Sequence, residues 1–310
     1  MTAIRVIGGT ANPGLAEAVA ARLAAGPAGV HVERFPDGEL LPTVDDVEGR
    51  DVYVVAPTSP PVGDSLVELA LLLDAARRAG AARLTAVVPY FGYARQDRRL
   101  RSGDAVGARV ALDLVAGAGA QRLVVIDPHS ATLEAAAAVP VEVLSAVAVL
   151  ADAVGESTEP SVVVAPDLGA VTLAERYAVR LAAPVAVVRK HRTSGHEVRA
   201  EDLVGDVAGR RAVVVDDMVS TGATIEAAVS LVRQRGARPS VVVAATHGLF
   251  VGPAAARLAR LAPLQLFTTD TTAVPGDLPT VEVCSIAPLV AAAVARLHHG
   301  TGLDDLGFRR

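Results

Sequence analysis

Five stretches of this chain occur twice, in the same order. GLAEAVAARL (14–23) returns as TLAERYAVRL (172–181), EGRDVYVVAP (48–57) as AGRRAVVVDD (208–217), and RRAGA (77–81) as RQRGA (233–237). RLVVIDPHSA (122–131) aligns with LQLFTTDTTA (264–273) if one gap is allowed, Asp127 falling on Asp270, and VEVLSA (141–146) matches VEVCSI (281–286). Each match is weak in a chain rich in Ala, Val and Arg, but five in register mark a tandem duplication. Such a chain folds as two copies of whatever one copy can form. Within each copy, short Val- and Ile-rich runs alternate with helix-length Ala/Leu/Arg segments. That alternation predicts an α/β fold, each copy a mainly parallel, buried sheet flanked by helices. A length of 310 residues suits two domains of about 150 each. The polar stretch GESTEP (155–160) reads as the boundary, giving domains 1–150 and 151–310.

The differences between the copies show where their jobs diverge. The shift between matched stretches falls from 156 at RRAGA to 143 at RLVVIDPHSA, so the first copy carries about 13 extra residues within FGYARQDRRLRSGDA. The acidic pair Asp216-Asp217 of the second copy is Ala56-Pro57 in the first.

In the second copy, AVVVDDMVSTGATIEAAVSLV (212–232) reads as strand, acidic pair, small-residue turn and amphipathic helix. The turn Ser220-Thr221-Gly222-Ala223-Thr224 offers successive backbone N–H groups, hydroxyls and a helix N-terminus, a cradle for a phosphate monoester. Asp216 and Asp217 are expected to end the strand, where α/β sheets place ligands. Carboxylates there repel a phosphate unless they hold another part of the ligand, such as sugar hydroxyls or a metal-bound water, so a phosphorylated sugar fits both features. An ordinary N-capped helix explains one hydroxyl but not the paired aspartates.

In the first copy, Arg95, Gln96, Arg98 and Arg99 cluster within five residues beside Phe91 and Tyr93. Guanidinium forks suit phosphate oxygens and stack on rings. FPDGE (35–39) reads by itself as a Pro-Asp-Gly turn. Lys190, in VVRKHRTSGHE (187–197), is the only lysine among 29 basic residues. Arginine-rich composition explains why lysines are missing; the one that stays marks a place needing a compact ammonium against phosphoryl oxygens.

These segments resemble the ribose-phosphate pyrophosphokinase (phosphoribosyl pyrophosphate synthase) family. VVVDDMVSTGAT is similar to the signature shared by that family and the type I phosphoribosyltransferases, and VVPYFGYARQDRRLRSGDAVGARV (87–110) to a nucleotide-binding segment found only in the former. The resemblance covers about residues 4–300 and implies two type I phosphoribosyltransferase-like domains. It implies transfer of the β,γ-pyrophosphoryl group of ATP to the 1-hydroxyl of ribose 5-phosphate. By resemblance Lys190 and Arg192 are catalytic, on a lid that includes Gly195, and Phe35, Asp37, Gly38, Glu39, Arg95 and Gln96 bind ATP. Arg192, Asp216, Asp217 and residues 220–224 bind ribose 5-phosphate, while His129 and Asp167 contact Mg2+. The FPDGE loop completes a neighbour's nucleotide site in that family, which implies a homo-oligomer.

Several positions depart from the commonest bacterial pattern. Ser220 replaces an acidic residue, and Ala223 and Ala170 stand where glycine is usual. STG, DPH and the short lid look more like archaeal-type members. Two other readings are open: a non-catalytic regulatory paralogue, opposed by the joint presence of Lys190, Arg192, His129 and Asp167, and a phosphoribosyltransferase, which leaves PYFGYARQDRR unexplained. A net charge of −5 argues against nucleic acid as a partner. The start MTAIRVIGGT shows no signal peptide, and 135–155 is interrupted by Pro140, Glu142 and Asp152, so a cytoplasmic protein without a membrane span is expected. Cys284, the single cysteine, reads as a core residue.

Overall fold

The computed structural model describes residues 3–26, 28–155, 157–192, 198–276, 278 and 281–306; of 190–192 and 198–201 it describes the backbone only. The chain divides into two compact units, Met1–Ser145 with Ile286–Arg310, and Ala146–Ser285.

The first unit begins with β1 (Ile4–Gly8), α1 (Pro13–Arg22) and a hairpin of β2 (Gly29–Arg34) and β3 (Leu40–Asp45). It continues through β4 (Asp51–Val55), α2 (Val62–Arg78), β5 (Arg83–Val88), α3 (Gly107–Gly117), β6 (Arg122–Ile126), the short α4 (Leu133–Ala136) and β7 (Val141–Leu144). Its main sheet runs β1-β4-β5-β6-β7, parallel throughout, while β2 and β3 form an antiparallel pair of their own. Every residue of β4 is buried, because a central parallel strand is covered on both faces and so reads as an unbroken apolar run. In α2 the buried Leu66, Leu69, Leu72, Leu73 and Ala76 recur at helical spacing and face the sheet. Arg77 and Arg78, in its last turn, both pair with Asp74.

The second unit contains α5 (Val147–Val154), β8 (Ser161–Ala165), α6 (Val171–Leu181), β9 (Val185–Arg192) and β10 (Val198–Val204). After these come β11 (Arg211–Val219), α7 (Ala223–Gln234), β12 (Val241–Gly248), α8 (Ala254–Ala259), β13 (Leu264–Thr269) and β14 (Val281–Cys284). Its sheet runs β10-β9-β8-β11-β12-β13-β14, with only β10 antiparallel to its neighbour.

The repeated stretches fall on equivalent elements: α1 with α6, β4 with β11, the ends of α2 and α7, β6 with β13, and β7 with β14. The connection from β5 to α3 (89–106) is thirteen residues longer than that from β12 to α8 (249–253), which is where the first copy's extra residues lie. The copies differ in their hairpins. β9 joins β8 in parallel, whereas β2 does not join β1.

The division of the chain also differs from the expected cut at 150. The last helix, α9 (Ala287–His299), belongs to the first unit, where it packs on α1. The helix in the same place in the first repeat, α5, belongs to the second unit, where it packs on β12 and β13. Of GESTEP, Gly155 and residues 157–160 therefore connect α5 to β8 within one unit and do not link the two units, which polar composition alone does not distinguish. At the end of α9, His298 Nδ1 lies 2.6 Å from Asp51 Oδ2, a carboxylate only 1% exposed. Tyr53 donates to the same oxygen at 3.1 Å, and Arg83 donates to that carboxylate and to the His298 carbonyl at 3.2 Å. Burial and the adjacent Asp51 charge push the Tyr53 phenol well up, so it stays a donor. Ending the chain at Ser285 is expected to destabilise the first unit by at least about 3 kcal/mol, given the burial of Val290 and Val294. Hydrogen exchange checks this: protection should fall in β1–β7 and hold in β8–β14.

Candidate active site

In the second unit, two long strands overrun a short one. β8 pairs with β9 only over Val185–Val187 and with β11 only over Arg211–Val214. Both neighbours continue past its carboxyl end, β9 to Arg192 and β11 to Val219. The expectation that Asp216 and Asp217 end the strand needs adjusting: β11 stays laddered to β12 through Val219 and has only lost its partner on the β8 side. Lys190 and Arg192 thus lie on one flank of the β8 edge and the acidic pair on the other. Their backbones pair with Ala200 and Val198 of β10; their side chains lie outside the described part of the structure, as do the lid residues 193–197 with Gly195.

Asp167 occupies the turn leaving β8, its carboxylate accepting from Gly169 N at 3.0 Å. Asp216 accepts from Asp217 N at 3.0 Å. Burial, then the negative charges of Asp217 and Asp167, push the Asp216 carboxyl well above the ordinary carboxylate range. Asp167, Asp216 and Asp217 thus lie within electrostatic reach of one another at the β8 edge.

The cradle is shaped from behind. Val219 O accepts from Leu249 N and Phe250 N at 3.0 and 3.1 Å, Ser220 O from Val251 N at 3.0 Å, and Thr221 O from Arg257 at 3.1 Å. With these carbonyls engaged on one side, the peptide N–H groups of the turn face the other, next to the N-terminus of α7. Arg257 and Arg260 also pair with Glu226 of α7, at 3.3 and 3.1 Å. Gly222 has φ +76, and a Cβ there has room, its nearest neighbours being 3.7 Å away, so the backbone angle and not space requires glycine. Gly222→Ala is expected to cost about 1 kcal/mol and to raise the KM for sugar phosphate more than that for nucleotide. Steady-state kinetics with each substrate varied checks it. Ala223 opens α7, and Ala170 is buried before α6, so both alanines are accommodated.

The first unit treats the same position differently. The repeat aligns Glu68 of α2 with Thr224. Glu68 is buried, and its carboxylate accepts from Thr10 N and Thr10 Oγ1 at 2.5 Å each. Those donors belong to the turn between β1 and α1, so the carboxylate ties that turn to α2.

What the first unit offers lies after β5 and β6, adjacent parallel strands whose carboxyl ends bring their loops together. A cleft of about 540 Å³ is lined by residues 95–98, Leu100, Asp104 and Ala105, Arg95 and Gln96 among them. The turn before it is pinned by Thr58, whose Oγ1 accepts from Gly92 N at 2.6 Å and donates to Tyr90 O at 3.1 Å. A Cβ on Gly92 would meet Val62 at 2.5 Å, and Tyr93 follows with φ +64. Phe91 is a buried core residue, so it does not offer its ring to a ligand as its neighbours suggested. Arg98 is held by Asp97, whereas among the described residues Arg95 has no ion pair or hydrogen bond. His129 is exposed just after β6.

Phe35–Glu39 closes the β2–β3 hairpin. Phe35 N donates to Glu39 O at 2.8 Å, Gly38 N to Phe35 O at 2.9 Å and Glu39 N to Asp37 Oδ1 at 3.2 Å, with Gly38 at φ +97. Phe35, Asp37 and Glu39 are exposed at the tip. Among the described residues, no hydrogen bond or ion pair joins this tip to Arg95 or Gln96. Thr58 and Arg257 were not legible as site residues, because each acts through a fold contact and carries no local motif.

Among the described residues, no group of three or more His, Cys, Asp or Glu could hold a metal ion, and no helix is long and apolar enough to cross a membrane.

Residues 4–119 match the N-terminal domain of ribose phosphate pyrophosphokinase, and residues 142–261 match the phosphoribosyl transferase domain. The chain is 41% identical over 314 residues to the ribose-phosphate pyrophosphokinase of Rhodopirellula baltica, with 99% of both chains covered. It is 37% identical to ribose-phosphate pyrophosphokinase 1 of Spinacia oleracea, covering 98% of this chain and 93% of that one. The crystal structure of phosphoribosylpyrophosphate synthetase from Mycobacterium smegmatis superposes with a TM-score of 0.89 at 35% identity, covering 96% of this chain and 100% of that one. These bacterial and plant relatives lend no support to the archaeal-type likeness expected from STG, DPH and the short lid. The chain belongs to the ribose-phosphate pyrophosphokinase family.

Proposed function

We propose that this chain transfers the β,γ-pyrophosphoryl group of ATP to the 1-hydroxyl of ribose 5-phosphate, giving 5-phosphoribosyl 1-pyrophosphate and AMP, a step of nucleotide biosynthesis. The observation that carries this reading is the overrun edge of β8, with Lys190 and Arg192 on one flank, Asp216 and Asp217 on the other, and the cradle beyond. Residues 220–224 take the 5-phosphate on backbone N–H groups and hydroxyls, and Asp216 and Asp217 take the ribose hydroxyls. Arg95 and Gln96 grip the nucleotide, with Phe35, Asp37, Gly38 and Glu39 supplying a stacking ring and acceptors for the base. Lys190 and Arg192 neutralise charge on the transferring group, where positioning and electrostatics supply most of the catalysis.

Mg2+ fits this chemistry. It prefers oxygen ligands and keeps several waters, binding through one or two protein groups plus substrate phosphates. The carboxylate of Asp167, at the turn leaving β8, is an oxygen ligand of the kind that mode uses. His129 of the first unit and Asp167 of the second are each assigned a Mg2+ contact; when bound, Mg2+ would offset the charge of the ATP phosphates.

The exposed hairpin tip supports a homo-oligomer in which residues 35–39 complete a neighbour's nucleotide site. A cytoplasmic location belongs to the same reading, consistent with a single free cysteine.

The test is AMP release from Mg-ATP with and without ribose 5-phosphate. Sugar-dependent AMP is the expected result. ADP would mean an ordinary kinase, and nucleotide binding without turnover would mean a regulatory paralogue.

A further inference from the structure

We propose that Asp97 is a positioning residue that ties the nucleotide-gripping turn to the loop carrying His129, so that the two parts of the ATP site move as one. This rests on the nucleotide reading of the cleft. Arg95, Gln96, Arg98 and Arg99 are all exposed, yet the Asp97 side chain among them is only 11% exposed. Asp97 Oδ2 accepts from Ser130 Oγ at 2.7 Å, across 33 residues of sequence. Ser130 is buried, its Oγ lies 2.8 Å from Thr132 Oγ1, and it accepts from Thr132 N at 3.2 Å. Arg98 spans the Asp97 carboxylate, its Nε donating to Oδ1 and its Nη2 to the Oδ2 that Ser130 also meets, each at 2.8 Å.

The arrangement has an electrostatic logic. A bare carboxylate next to Gln96 would repel triphosphate oxygens. Asp97 instead has its charge engaged by Arg98 and Ser130, while Arg95, which also lines the cleft, keeps its guanidinium free of any ion pair among the described residues. The hydrogen bonds from Arg98, then Ser130, hold the Asp97 carboxyl far below the usual carboxylate range. Its contribution is therefore complete above the ordinary value of 3.8 and is lost only in strong acid, so the link does not titrate at working pH. Ser130 adjoins His129 and Asp97 adjoins Gln96, so one hydrogen bond fixes the spacing of the two loops.

The experiment is a double-mutant cycle in the full-length protein with Asp97→Asn, Ser130→Ala and the pair, following AMP release and ATP affinity by calorimetry. Each single change should raise the KM for Mg-ATP about tenfold and leave that for ribose 5-phosphate within about twofold. The double variant should be no worse than the weaker-binding single one. Additive effects, or equal losses for both substrates, would overturn the proposal. Ser130→Ala removes one hydroxyl and keeps the test open should Asp97→Asn fold poorly. A wild type that binds ATP without releasing AMP would sink the assigned activity, while the cycle on ATP affinity would still decide the coupling.

Discussion

Lys190→Ala is expected to cut sugar-dependent AMP release by about 10²- to 10³-fold in kcat, with little change in either KM. The reason is that β9 carries position 190 three residues beyond Val187, its last partner on β8, at the edge where the sheet meets its ligands. A cation placed there stabilises charge that develops on the transferring pyrophosphoryl group, so its loss is felt in the chemical step more than in binding. Lys190→Arg should restore less than a tenth of the rate. A planar, rigid fork does not replace a compact, rotatable ammonium, and this chain uses arginine at every other basic position. Steady-state kinetics with Mg-ATP and ribose 5-phosphate read the outcome. A variant within threefold of wild type would remove Lys190 from the catalytic set.

Asp216→Asn is expected to stabilise the ligand-free protein while damaging it as an enzyme. Burial and the charges of Asp217 and Asp167 raise the Asp216 pKa in the folded state. For a carboxyl raised in this way, the stability it contributes is full below the unfolded value near 3.8 and is lost as pH rises through the folded value. At neutral pH, above the ordinary carboxylate value, the ligand-free enzyme therefore bears the cost of this raised carboxyl, which asparagine removes. A gain of about 0.5–2 kcal/mol is expected, and the Tm of the wild type should fall with rising pH more steeply than that of the variant. The catalytic cost is the loss of a charged acceptor for the ribose hydroxyls, about 10- to 100-fold in kcat/KM for ribose 5-phosphate. Thermal unfolding across pH, paired with kinetics, separates the two effects. A variant less stable at neutral pH would contradict the electrostatic account of this pocket.

The turn at 220–224 and the acidic pair before it were legible in the sequence as local structure, because turn chemistry is local. Thr221, Gly222 and Thr224 sit on one turn, and a backbone angle of φ +76 at Gly222 is what that glycine foretells. The duplication was legible because every copied element keeps its own periodicity, so α1 and α6 or β4 and β11 could be paired by pattern alone. The aromatic residues near Arg95 were a harder case. Phe91 and Tyr93 look alike in sequence, yet one is core and the other surface, since the pinned turn at Gly92 sends them to different sides.

By itself, the sequence determined the two-copy α/β plan, the order of its elements and the glycine turn after β11, because helical and strand periods and turn chemistry are set by neighbours along the chain. Only the tertiary structure decided that α9 packs in the first unit and α5 in the second, that β9 and β11 overrun β8, and that Asp97 meets Ser130. Each of these depends on strand order within a sheet and on which buried faces find each other. Such contacts join residues far apart in the chain, and no local pattern records them.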